Sequence, residues 1–187
     1  MTALRDDEPG WRFDDEPDRH FDIRDASGRL HAVLIRTADK QFIWRSVDGK
    51  PGLGGRSVED LPLYRTECLG RVPLDVPVVL TEGAKDCDAC LRAGLAAVGT
   101  VTGAAGTPSA ASLVVLLNRV VVLWPDFDDV GRQHMERIAE ALVGIARRIH
   151  VVDVVGLLPK GGAADVSAAE VARRVGRALR SHSHARP

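Results

Sequence analysis

No apolar run in this 187-residue chain approaches the ~20 residues needed to cross a bilayer. Met1 to Asp18 is acidic and has no apolar segment of the kind a secretory leader needs, so a cytoplasmic protein with no membrane contact is expected. Cysteine is scarce. Cys68, Cys87 and Cys90 fit a reducing interior better than a disulfide framework. Charge of one sign is also missing: 25 Lys and Arg against 26 Asp and Glu leave a formal net charge of −1. Any nucleic-acid contact must then come from a local basic surface rather than global attraction. The glycines at 94, 99, 103 and 106 do not compose a GxxxxGK[ST] phosphate loop, so no ATPase is predicted. What is present, 45% hydrophobic and 27% charged residues, describes a soluble globular chain able to bury a real core. Its length suits one ordinary domain with a small appendage.

Residues 1–19 mix Asp, Glu, Pro and Gly without apolar periodicity and read as a disordered acidic arm. Residues 20–75 read as a small β-rich lead-in. Phe21 and Ile23 alternate with Asp22 and Arg24, turn residues follow at Asp25 to Gly28, and Leu30 to Ile35 and Gln41 to Trp44 form further β runs. Turns at this close spacing predict an antiparallel meander. The rhythm changes over residues 76–181. Short apolar strands at 78–80, 95–98, 120–124 and 149–155 alternate with helices at 84–93, 109–117, 130–147 and 167–181. Continuous apolar strands separated by helices predict an α/β fold, a parallel sheet covered on both faces. Residues 182–187 read as a flexible tail.

Functional groups of an open parallel sheet collect beyond the carboxyl ends of its strands, and two strands here end in acid. The first delivers Glu82, with Gly83 behind it. The third delivers Asp126 and Asp128, whose spacing in extended chain points both carboxylates to one side. Three converging carboxylates repel one another unless a cation lies among them, and oxygen-only donors suit Mg²⁺ or Mn²⁺ rather than zinc. The competing reading is local: Asp128 and Asp129 cap the following helix, and Glu82 helps begin the preceding one. Capping does not explain Asp126, which lies too far upstream. Cys87-x-x-Cys90 has no suitably spaced partner pair and falls inside a predicted helix, so no zinc site is expected. His134, among polar helical neighbours, is expected on the surface. Arg36, Lys40, Arg45, Lys50 and Arg56 either line a nucleic-acid groove or form a solvated β face. Phe42 and Trp44 are candidates for stacking on bases or for core packing.

Two stretches, Val78-Val-Leu-Thr-Glu-Gly-Ala-Lys-Asp86 and Val121-Val-Leu-Trp-Pro-Asp-Phe-Asp-Asp-Val-Gly-Arg132, resemble the Glu-Gly and Asp-x-Asp motifs of TOPRIM domains. The resemblance is strongest to DnaG-type primases of phages and mobile elements. It spans about residues 76–166 and extends more faintly to Asp25-Ala-Ser-Gly-Arg-Leu30, Lys40-Gln-Phe-Ile-Trp44 and Leu61-Pro-Leu-Tyr64. It implies a Rossmann-like TOPRIM sheet in which Glu82 is a general acid/base or metal ligand. Asp126 and Asp128 would be the metal pair, Asp86 the second acid of the first motif, and Lys85 and Arg132 nucleic-acid contacts. In the third motif, Lys160-Gly-Gly-Ala-Ala-Asp165, only Asp165 remains as a metal ligand. Gly162 stands where the family usually has Asp, which weakens the case for a second metal.

The only tyrosine, Tyr64, lies upstream of the motifs, which argues against a type IA topoisomerase. The resemblance implies metal-dependent primer synthesis in DNA replication, using nucleotides on a single-stranded DNA or RNA/DNA template. It also implies partnership with a separate helicase or zinc-binding module. A TOPRIM nuclease is the alternative within the same chemistry. A non-catalytic nucleic-acid-binding accessory module is the alternative outside it.

Overall fold

A computed structural model describes residues 20–37 and 41–181. The expected acidic arm, the tail at 182–187 and Lys40 lie outside the described residues. Three strands, β1 (His20–Arg24), β2 (Leu30–Arg36) and β3 (Phe42–Ser46), form the antiparallel meander in the order β1-β2-β3. Asp25 closes the first turn by accepting from the Ser27 and Arg29 amides. Cross-strand register places Phe21, Leu34 and Trp44 in one row and Arg36 and Phe42 in the next, all on one face because side chains alternate along a strand. Arg45 pairs with Val33 and so belongs to the other face.

The second sheet contains β4 (Val78–Thr81), β5 (Ala96–Gly99), β6 (Val120–Trp124) and β7 (Arg148–Val151), all parallel, in the order β5-β4-β6-β7. Its two faces are both apolar, as the uninterrupted Val, Leu and Ala runs require. Val79, Ala97 and Val122 join one buried cluster with α1 (Ala84–Arg92) and α4 (Ala168–Arg180). Leu80, Val98 and Leu123 join a second with α2 (Ala110–Leu113) and α3 (Asp129–Ala141). The first cluster continues into Phe21, Ile23 and Leu34, so the small sheet is packed onto the larger unit. Tyr64 reinforces that junction: it meets Phe21 edge-on at 5.6 Å, and its backbone bonds Gly99 in both directions. Its hydroxyl donates to Asp88, which also pairs with Arg65.

Three elements are shorter than the pattern predicts. The helix expected over 109–117 is α-helical only over Ala110–Leu113 and tightens into a 3₁₀ turn over Val114–Leu116. The third helix stops at Ala141 because Gly144 adopts a left-handed φ of 79°, although Leu142 and Ile145 continue the apolar packing. β7 ends at Val151 because its partner β6 ends at Trp124 and is followed by Pro125. Only the Val152 amide, bonding Leu123, carries the pairing further. Ser109 and Ser167 cap α2 and α4, accepting from the Ser112 and Glu170 amides.

Candidate active site

Register aligns the carboxyl ends of the central strands: Thr81 lies opposite both Gly99 and Trp124. The next residues, Glu82, Thr100 and Asp126 beyond Pro125, therefore emerge at one edge of the sheet. Glu82 reaches across to β6, where its Oε1 accepts from the Asp126 amide at 3.1 Å. Its own carbonyl accepts from the Thr100 hydroxyl at 2.7 Å. Asp86, in the first turn of α1, is buried and accepts from the Ala164 amide at 2.8 Å. Asp128 is the N-cap of α3, its Oδ1 accepting from the Gly131 amide at 2.6 Å. The local reading of Asp128 therefore holds, and this capping bond uses one of its two oxygens. Asp126 accepts no side-chain hydrogen bond among the described residues.

The electrostatics follow from this crowding. Burial, then the negative charges of Asp86, Glu82 and Asp128, push the Asp126 carboxyl up to about 7. Glu82 and Asp86 are raised as well, burial being the main cause for each. Asp165 goes the other way: the Gly162 amide donates to it at 2.9 Å and Lys85 pairs with it at 3.3 Å, which hold its carboxyl below the ordinary range.

Two glycines determine how closely these groups approach. A Cβ on Gly131 would collide with Glu82 Oε1 and come within 2.9 Å of the Asp126 carbonyl oxygen. A Cβ on Gly162 would collide with Asp86 Oδ1 and lie 2.8 Å from Asp126 Oδ1. The segment carrying Gly162 is tied down by paired backbone bonds, Phe127 to Gly161 and Lys160 to Phe127. The third motif thus closes the acidic cluster with backbone.

Opposite the acids lies the small sheet. A cavity of about 450 Å³ separates them, lined by Phe21, Leu34, Arg36, Phe42 and Trp44 on one side. Glu82, Lys85, Asp86, Asp126 and the loop from Thr100 to Ala104 line the other. Of the residues singled out by sequence, the cavity brings together Glu82, Asp86, Asp126, Lys85, Arg36, Phe42 and Trp44. Asp128 and Asp165 adjoin the cluster outside the cavity lining. Arg45 is on the far face of the small sheet and donates to the Gly49 carbonyl, Lys50 is exposed and paired with Asp48, and Arg132 is exposed and paired with Asp129. Arg56 bonds His31 at the sheet's end.

His134 corrects the sequence expectation: it is fully buried, with Nε2 3.4 Å from the Thr100 hydroxyl, and burial lowers its pKa to about 4. It was legible as a member of the stripe Gly131, His134, Met135, Ile138 and Leu142, whose spacing of three and four marks the inner face of α3. Gly131 was the other residue missed, and Gly162 was noted only for the carboxylate it lacks; no sequence signal short of the fold shows what either glycine touches. Cys87 and Cys90 are buried in α1 and Cys68 is half-buried outside it.

As the side chains stand, no three of the described His, Cys, Asp or Glu residues form a ready metal cage. The donor chemistry nevertheless fits a hard cation. The groups are carboxylates alone, and Mg²⁺ is commonly held by one or two carboxylates with substrate phosphates supplying the rest.

No family model matches the chain, and no curated protein matches it. Solved structures do. The primase fragment of the bacteriophage T7 primase–helicase protein is similar over 86% of this chain and 62% of its own, at 19% identity and a TM-score of 0.58. The Aquifex aeolicus primase, with its zinc-binding and RNA polymerase domains, is similar over 84% of this chain and 39% of its own, at 19% identity and a TM-score of 0.64. A DnaG primase catalytic domain bound to single-stranded DNA is similar over 85% of this chain and 52% of its own, at 19% identity and a TM-score of 0.62. The chain thus spans less than two thirds of each of these neighbours. The chain has the α/β fold of these primase domains, built here from a four-stranded parallel sheet and a small antiparallel sheet.

Proposed function

We propose that this chain is a primase-type TOPRIM unit that carries out, or assists, metal-dependent primer synthesis. The observation that carries the reading is Asp126. It is a half-buried carboxylate at the edge of a cavity, crowded by Asp86, Glu82 and Asp128 and without a hydrogen-bond donor of its own among the described residues. Such a group is poised for a cation.

Asp126 and the second oxygen of Asp128 would hold Mg²⁺ or Mn²⁺, with Glu82 adjacent and Asp86 and Asp165 flanking. When bound, the cation would neutralise the triphosphate of an incoming nucleotide and favour attack at its α-phosphorus. Glu82, whose carboxyl burial raises from its usual value, would accept the proton of an attacking 3′-hydroxyl. Its Oε1 bond to the Asp126 amide fixes its orientation toward β6. Lys85, in the cavity wall beside Asp86, supplies positive charge for a phosphate, and Arg36 does so from the opposite side. Arg45, Lys50 and Arg132 lie outside the cavity and are bonded to Gly49, Asp48 and Asp129, so they would contribute only backbone contacts remote from the acids.

The neighbour bound to single-stranded DNA supports a template of that kind, and the zinc-binding domain of the Aquifex aeolicus neighbour supports a zinc module supplied from elsewhere. The domain division at residue 75, a separate helicase partner and a cytoplasmic setting belong to the same proposal. The loss of a carboxylate at Gly162 favours the second reading, a non-catalytic accessory module.

Primer synthesis on single-stranded template with labelled nucleotides and Mg²⁺ separates the two. Product formed by the wild type and lost in Asp126→Ala supports catalysis. No product, with template binding equal in wild type and variant, supports the accessory module. Shortening of a labelled strand identifies a nuclease.

A further inference from the structure

We propose that the small antiparallel sheet is a base-holding platform: Trp44 and Phe42 stack on the base of a nucleoside triphosphate whose phosphates face Asp126 across the cavity. The inference rests on the proposed reading of the acidic cluster and adds what the opposite wall does.

The cavity's two sides differ in chemistry. One is carboxylate with a single lysine. The other is apolar and aromatic apart from Arg36. A bare polyphosphate would leave the aromatic side in contact with nothing, and an apolar ligand would leave the acids and Lys85 unmatched. A nucleotide has both characters, a flat base with apolar faces and a polyanion that brings a cation with it. The volume, about 450 Å³, falls within the range of small-molecule sites.

Residue usage points the same way. Phe, Trp and Tyr make up only 4% of the chain, yet Phe21, Phe42 and Trp44 share one face of one small sheet and line this cavity. Phe21 is spent on the core, where it meets Tyr64. Phe42 is not: it is 61% exposed although it stands on the inward-facing row. Arg36, its cross-strand partner, holds its guanidinium 5.9 Å from the Phe42 ring centroid. The Arg36 Nε is buried without a hydrogen-bond partner. A buried donor left unpaired calls for an acceptor, and Arg36 lines the cavity in which a base edge or phosphate oxygen would provide one.

Calorimetric titration of the full chain with Mg²⁺ and either ATP or inorganic tripolyphosphate tests this. Trp44→Ala and Phe42→Ala should each weaken ATP binding about five-fold or more, as loss of a base–aromatic stack does. Neither should change tripolyphosphate binding. Trp44→Phe keeps a ring and should retain most of the ATP affinity, which separates stacking from misfolding; Phe42, being exposed, gives an independent variant. Equal losses for both ligands, or no loss for either, overturn the platform. If Asp126→Asn abolishes binding of both ligands while the aromatic variants do nothing, the metal reading stands and the platform falls. If ATP binds through Trp44 regardless of Mg²⁺ and Asp126, the platform stands and the metal reading falls.

Discussion

Asp126→Asn should make the metal-free protein more stable, and only at higher pH. The Asp126 carboxyl is raised from 3.8 to about 7 by burial and by the charges of Asp86, Glu82 and Asp128. Between about pH 4 and pH 7 the folded state therefore holds a proton that the unfolded chain has released. Stability contributed by that proton is complete below the unfolded value and is lost as pH rises through the folded one. A shift of this size corresponds at face value to roughly 4 kcal/mol. The side chain is only half-buried, so solvent screening reduces the figure to on the order of 1–2 kcal/mol. Asn is nearly isosteric, cannot ionise and leaves the amide bond to Glu82 in place. In EDTA at pH 8 the variant should melt about 2–6 °C above the wild type. Near pH 4 the two should coincide. Scanning calorimetry across this range reads the gap directly. Mg²⁺ or Mn²⁺ at pH 8 should raise the melting temperature of the wild type and leave the variant nearly unmoved. A variant no more stable than wild type at pH 8, or a gap that is constant with pH, would refute the reasoning.

Two further outcomes check the geometry around the site. Gly162→Ala should destabilise by about 1–3 kcal/mol in urea unfolding, since the added methyl overpacks against the Asp86 and Asp126 carboxylates; wild-type stability would show that the 160–165 segment is not held where the structure puts it. Tyr64→Phe should cost about 1 kcal/mol by the same measurement, because Asp88 loses the hydroxyl donor that links the lead-in to α1. No change there would make Arg65 a sufficient partner for Asp88.

The large sheet was readable in the sequence because Val78 to Leu80 and Val120 to Trp124 are apolar at every position, a pattern that only a strand covered on both faces satisfies. The acidic edge was readable for a related reason: once those runs are parallel strands, Glu82 and Asp126 must emerge together. Helix α3 and strand β7 were overextended because local patterning continues past their ends, while Gly144 and the termination of β6 at Pro125 act through backbone geometry and pairing. His134 was misread because Gln133 and Glu136 beside it are exposed, and near neighbours outweighed the stripe four residues apart. The cavity was beyond reach, since it depends on how the meander is set against the larger sheet.

Counting acids along the chain treats Glu82, Asp86, Asp126, Asp128 and Asp165 as equivalent candidates, whereas the structure distributes backbone donors among them unequally. Glu82 takes the Asp126 amide, Asp86 the Ala164 amide, Asp128 the Gly131 amide and Asp165 the Gly162 amide. The Asp126 carboxylate takes none among the described residues, and the charges of Asp86, Glu82 and Asp128 converge on it. The third motif deepens this asymmetry. At Gly162 a side chain would occupy the space of the Asp86 and Asp126 oxygens, so the glycine is matched to the way its segment folds back. Restoring a carboxylate at 162 would add charge where the cluster has least room for it. On the proposed reading, one cation centred on Asp126 and completed by substrate phosphate would relieve the repulsion with the fewest protein ligands.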